Sequence, residues 1–139
     1  MLAWAGPYKG TRLIKGETWQ PYQAVTFPTP PFPEYVSGHS TFSGAGTKVL
    51  QQFTGSDLFG ARVTIRPGTS FVEPGLTPLL PQVLLWPTFS AARDEAGMSR
   101  RYGGIHFPDA DLDGRALGAS VGQQAWTKAQ TYWGGSAGG

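Results

Sequence analysis

The stretch "PFPEYVSGHSTFSGAG", Pro31 to Gly46, sets a Ser-Gly-His triplet between a proline-rich run and an amphipathic segment. Ser37 and Ser40 both suit an N-cap. In "STFSGAGTKVLQQFT", Phe42, Ala45, Val49, Leu50 and Phe53 recur at helical spacing, which predicts a first helix over about 40–53. A triplet at that junction has chemical meaning. Ser37 offers a hydroxyl, and Gly38 offers an amide that a ligand can approach because no side chain covers it. The helix behind them turns its positive end toward the same spot, so the three together make a nest for an anion.

Working outward, residues 1–35 hold six prolines and several aromatics with neither helical nor alternating period, and read as an extended arm. Between Gly55 and Pro87 four prolines and four glycines precede the latter, and only "ARVTIR" alternates well enough for a short strand or hairpin. The segment "PTFSAARDEAGMS" starts a second helix, with Thr88 or Ser90 as cap, running to about Ser99. A third begins near Asp111 or Asp113 and continues to Trp133, with Leu117, Val121, Ala125, Ala129 and Trp133 as its expected buried stripe. Asp113 is expected to cap it. The fold class is therefore all-α: a loop-rich helical bundle over 36–133, with one short hairpin at most, behind an arm at 1–35 and before a Gly-rich tail at 134–139.

Composition narrows the function. Forty per cent hydrophobic and 13% aromatic residues in 139 positions suit one packed domain and not a disordered chain. The net charge is +2, with no run of adjacent cations beyond Arg100-Arg101, so no nucleic-acid footprint exists. No stretch approaches the roughly 18 consecutive apolar residues of a membrane span. The opening "MLAWAGPYKG" lacks the features of a signal peptide, so the expectation is a soluble chain of open localisation. Cysteine is absent, which excludes disulfides and thiolate chemistry.

A second polar cluster answers the first. In "SRRYGGIHFPDADLDG", Arg100 stands six residues before His106, and Asp109, Asp111 and Asp113 follow. An Arg fork binds phosphate-like oxygens in bidentate fashion. His106 can attack or ligate a central atom, with Asp109 or Asp111 as candidate orienter of its ring, and His39 can move protons near neutral pH. Together the residues describe transfer chemistry at a tetrahedral oxyanion. The other polar and aromatic residues have plainer readings. Arg101 reads as a solvated neighbour, Glu17 and Glu34 as surface or capping groups, and Phe32 and Tyr35 as packing against the first helix or lining a pocket mouth. Trp19, Trp86, Trp126 and Trp133 read as core or interface aromatics.

"SGH", a long gap, then "SR", five residues and "H" resembles the signature of the superfamily of type 2 phosphatidic acid phosphatases and vanadium-dependent haloperoxidases. The strings "TPPFPEYVSGHSTFS", "AARDEAG" and "SRRYGGIHF" are most similar to its soluble bacterial haloperoxidase-related branch, over about residues 17–133. The resemblance implies an all-α bundle whose helix N-termini and loops converge on the anion. It implies that Ser37, Gly38 and Arg100 hold the oxygens of vanadate or phosphate. His106 would then be the residue bonded to vanadium or the nucleophile toward phosphorus, and His39 the acid-base partner. Two activities follow from it. One is halide oxidation by peroxide with vanadate as cofactor; the other is phosphoester hydrolysis through a phosphohistidine.

Two departures qualify that implication. The family signature opens with a Lys, six residues, then Arg-Pro, ahead of the SGH segment. Here no Lys is followed seven positions on by Arg, and Arg66-Pro67 comes after Ser37. The chain thus resembles the C-terminal half of a family member. Each missing charge-assisted bond to a trianion is worth roughly 1.5–3 kcal/mol. Second, the family places Asp four positions after the second His, where this chain has Ala110 flanked by Asp109 and Asp111. The sequence therefore leaves open an active haloperoxidase-like domain, a phosphatase-like one, and a catalytically incomplete anion-binding or assembly module. Apolar helix faces without their usual cover predict a homo-oligomer or pairing with an N-terminal chain.

Overall fold

The computed structural model describes residues 1–27 and 31–135. Positions 28–30 of the expected arm and 136–139 of the expected tail lie outside the described residues. The chain forms two compact units, one from residues 1–29 and 62–84, the other from residues 30–61 and 85–139.

In the first unit, β1 (Leu2–Trp4) and β2 (Thr11–Leu13) pair antiparallel, Leu2 opposite Leu13 and Trp4 opposite Thr11. Gly10, at φ +67°, turns the chain into β2. A 3-10 turn follows at Gly16–Thr18. Trp4 meets Tyr22 edge to face at 4.8 Å, and the Tyr22 hydroxyl donates to Glu73 Oε2 at 3.0 Å, tying the hairpin to the 66–78 loop.

The second unit carries three helices: α1 (Gly38–Thr54), α2 (Phe89–Tyr102) and α3 (Pro108–Trp133). Ahead of α2, β4 (Gln82–Thr88) pairs with β3 (Leu58–Ile65). With two strand pairs beside three helices, the fold is mixed and not all-α. The overturned expectation has a physical cause. Strand β4, "QVLLWPT", contains Pro87 and lacks polar alternation, yet a two-stranded sheet has only edges, and an edge tolerates proline.

Helix limits follow local chemistry. Thr88 caps α2 by accepting from the Ala91 amide at 3.0 Å, and Asp57 Oδ1 takes the Ser90 amide at 3.0 Å. Helix α1 stops at Gly55, whose φ of +67° suits the left-handed cap. Helix α3 starts three residues ahead of Asp111, with Pro108 in its first turn and Asp109 and Asp111 at its positive end. Asp113 does not cap it; its Oδ2 accepts from the Tyr35 hydroxyl at 2.8 Å.

The packed face of α3 is also not the expected one. Leu117, Val121 and Trp133 are exposed, whereas Ala110, Gly114, Gly118 and Gly122 are buried. These small residues lie against Ser37, Thr41 and Ala45 of the α1 segment, and Gly44 of α1 faces the Arg115 carbonyl. Backbone meets backbone, so the contact is made by shape and dispersion and not by large side chains. On α1 the buried positions are Ser40 and Gly44, while Phe42 and Phe53 are 81% and 73% exposed. Among the described residues, Phe89, stacked on Phe59 at 4.9 Å, and Ala110 are the buried hydrophobic ones.

Candidate functional site

Helix packing brings the two polar clusters together within the second unit. Beside the Tyr35–Asp113 bond, further hydrogen bonds join the Ser-Gly-His segment to the start of α3. The Ser37 amide donates to the Ala110 carbonyl at 3.0 Å, and the Ser40 hydroxyl to Asp111 Oδ1 at 2.7 Å. Glu34 Oε1 accepts from the Phe107 amide at 2.6 Å and lies 3.3 Å from His106 Nδ1. His39 is close enough to feel the charges of both Arg100 and His106.

Each expected site residue has a definite place. Ser37 is fully buried as the N-cap of α1, its Oγ accepting from the Ser40 amide at 3.3 Å and lying 3.0 Å from Ser40 Oγ. Ser40 has one hydroxyl hydrogen and the Asp111 carboxylate can only accept. That hydrogen therefore goes to Asp111, and Ser37 in turn donates its own to Ser40. Gly38 and His39 follow at the first two helical positions, where an amide has no intrahelical acceptor; neither amide has a hydrogen-bond partner among the described residues. A Cβ at Gly38 would meet nothing within 4 Å, so the side-chain direction at its Cα is open.

Arg100 lies in the last turn of α2. Its Nε and one terminal nitrogen, Nη2, are buried without a hydrogen-bond partner, and it forms no ion pair among the described residues. Burial pulls its pKa below the usual arginine range. Such donors are costly to leave empty. The chain then turns through Gly103 and Gly104, the latter at φ +69°, and delivers the buried His106 just before α3. No hydrogen bond reaches His106 Nε2 among the described residues. His39 is exposed, and partial desolvation, then the Arg100 and His106 charges, hold its pKa below the ordinary 6.5.

The acidic residues divide differently from their expected roles. Asp111, completely buried, turns away from His106 to Arg115, four residues on, and to Ser40. Burial alone would raise its pKa, but the hydrogen bonds of Arg115 and Ser40 and the charges of Arg115 and Arg101 outweigh that and leave it lowered. Asp109 makes no hydrogen bond with His106 among the described residues. The carboxylate beside the ring is Glu34, read from the sequence as a surface or capping group. Arg101 is half-buried and reaches Asp111 Oδ2 at 4.0 Å, which makes it a partner of that buried acid and not a solvated neighbour.

Residues 1–135 match the family model described as the VCPO second helical-bundle domain. The chain belongs to that family. It is similar to the holo-type bacterial vanadium-dependent chloroperoxidase, at 28% identity and a TM-score of 0.82 over 94% of this chain. The apo-type bacterial vanadium-dependent chloroperoxidase gives 27% identity and a TM-score of 0.83 over the same share. A bacterial vanadium-dependent iodoperoxidase is 34% identical over 77% of the chain and 22% of its own, with a TM-score of 0.53. No curated protein sequence matched. The chain spans 27% of the length of each chloroperoxidase, so what it shares with them is this second helical-bundle domain of the vanadium haloperoxidase type. No helix among the described residues is long and apolar enough to cross a membrane.

Proposed function

We propose that the chain supplies the C-terminal share of a vanadium-haloperoxidase site, binding vanadate or phosphate at the mouth of α1. The observation that carries this reading is Arg100, whose Nε and Nη2 are buried with nothing to bond. A permanently charged fork with two buried nitrogens and no counter-ion among the described residues suits an oxyanion. The free amides of Gly38 and His39 at the positive helix end add neutral donors, and His106 Nε2 adds one nitrogen ligand. Ser37 acts as the cap that aims those amides.

These donors fit an oxyanion. They are an Arg fork, backbone N–H groups and one imidazole, with Glu34 on the Nδ1 side of that ring and not on its Nε2. Vanadate bound there would supply peroxide activation for halide oxidation. The chain's residues would hold it: Arg100 and the amides by its oxygens, His106 through Nε2, with His39 positioned to exchange protons at its edge.

Further cations come from outside this set, because Arg101 and Arg115 are committed to Asp111 and Asp94. We infer a helical partner, either a second copy or an N-terminal chain, that covers the exposed apolar residues of α1 and α3 and brings a Lys and an Arg to Gly38. The test is titration of the 139-residue chain with phosphate and vanadate, followed by assays for halogenation and for phosphoester hydrolysis. Saturable vanadate binding with halogenation supports the reading. Binding with hydrolysis alone favours the phosphatase alternative. Absence of binding removes the site.

A further inference from the structure

We propose that Glu34 is the positioning residue for His106, fixing the ring tautomer that leaves Nε2 as its basic nitrogen. This rests on the anion-site reading only for its use, since the geometry stands without a ligand.

The argument is one of hydrogen counting. Glu34 Oε1 accepts from the Phe107 backbone N–H at 2.6 Å, a group that can only donate, so this oxygen is an acceptor. The same oxygen lies 3.3 Å from His106 Nδ1. A lone pair on Nδ1 would face a lone pair on oxygen, so Nδ1 carries the hydrogen. In a neutral ring the other nitrogen is then bare. Nε2 has no hydrogen-bond partner among the described residues, while the ring is buried to 9% exposure and cannot swing to solvent. A nitrogen that ligates or attacks an electropositive centre must present its lone pair, and here that is Nε2.

Glu34 is held in turn. It sits three residues ahead of Ser37, whose amide is bonded to Ala110, and its carboxylate lies at the positive end of α3. One oxygen thus serves two ends: it satisfies the Phe107 amide at the helix start and orients the ring one residue before it. Ala110 stands where the family resemblance leads to an expected Asp. The carboxylate arrives from the Ser-Gly-His side of the site instead.

The test is nitrogen-15 NMR of the imidazoles in the 139-residue chain above the pH at which they titrate. There are two histidines, and Glu34→Gln and Glu34→Leu variants are compared with the parent, with His39→Gln assigning the signals. The parent and Glu34→Gln, which keeps an acceptor, are expected to show His106 protonated on Nδ1. Glu34→Leu is expected to shift it toward the Nε2-protonated form and to weaken vanadate binding at least several-fold. An Nε2-protonated ring in the parent overturns the proposal even where the leucine variant fails to fold, as does a leucine variant that folds and keeps Nδ1–H. Nδ1–H in a parent that binds no vanadate supports the positioning role and overturns the anion-site reading alone.

Discussion

The Thr41 carbonyl oxygen of α1 occupies the space a Cβ on Gly118 of α3 would need, with the Ala45 amide 2.9 Å from the same point. Both obstacles are backbone, so neither can rotate away. Alanine is the better helix former by about 1 kcal/mol, yet Gly118→Ala must push two helices apart. Overpacking costs about 1–3 kcal/mol, occasionally more, and a clash with main chain belongs at the upper end. Gly46, on the same helix as Thr41, has nothing within 4 Å of its would-be Cβ. Thermal unfolding should therefore rank Gly46→Ala above the parent and Gly118→Ala well below it. Equal effects at the two sites would show that the helices do not meet through their glycines.

Asp111 is completely buried and joined to Arg115 and Ser40. Replacing it by alanine leaves Arg115 with only Asp94, at 3.0 Å, and leaves the Ser40 hydroxyl without its acceptor, so the loss falls below the roughly 3–5 kcal/mol of a buried pair broken outright. Because its folded pKa lies below the ordinary 3.8, the carboxylate contributes stability above that value and loses it as pH falls through the folded pKa. Acid unfolding followed by circular dichroism should show this loss below about pH 4, and Asp111→Asn should remove it. An unchanged acid limb in the asparagine variant would place the pH dependence elsewhere.

What could be read from the sequence depended on the kind of signal. The Ser-Gly-His triplet and the Arg100–His106 spacing were legible as candidate site residues, because loop-to-helix junctions with glycine are local features. Hydrophobic periodicity misled on α3. It selected Leu117 and Val121, whereas the packing row is Ala110, Gly114, Gly118 and Gly122, and glycine contributes almost nothing to an apolar pattern. Glu34 was read only as a surface or capping group because its ring partner is 72 residues away. Arg115 was within reach, since Asp111 to Arg115 is an i, i+4 pair. Strand β4 was missed because "QVLLWPT" lacks the alternation that marked "ARVTIR".

The depressed pKa of His39 gives a further test. Desolvation and the positive charges of Arg100 and His106 all disfavour its protonated form. Proton NMR should find His39 titrating below 6.5. Its folded value lies below its unfolded one, so the unfolded chain takes up a proton first; this residue's contribution to stability is present above the unfolded pKa and is lost as pH falls through the folded one. Arg100→Gln, which removes one cation, should move the titration upward. Phosphate should do the same if it neutralises Arg100. A midpoint indifferent to both would separate His39 from Arg100.

Arg100 allows function and stability to be set against each other. A guanidinium that braces a fold loses stability when removed, but this one has two buried nitrogens with no partner, and replacing unpaired polar groups by apolar ones is near neutral or stabilising. Arg100→Leu should therefore hold or raise the melting temperature while phosphate affinity falls. The loss of one charge-assisted contact, about 1.5–3 kcal/mol, corresponds to roughly ten- to a hundredfold weaker binding. Arg100→Lys keeps the charge without the fork and should fall between the leucine variant and the parent in affinity. Calorimetric titration with phosphate and a melting curve on each variant check both halves. If Arg100→Leu melts several degrees lower and binds phosphate as the parent does, the arginine is a structural residue and the anion is held elsewhere.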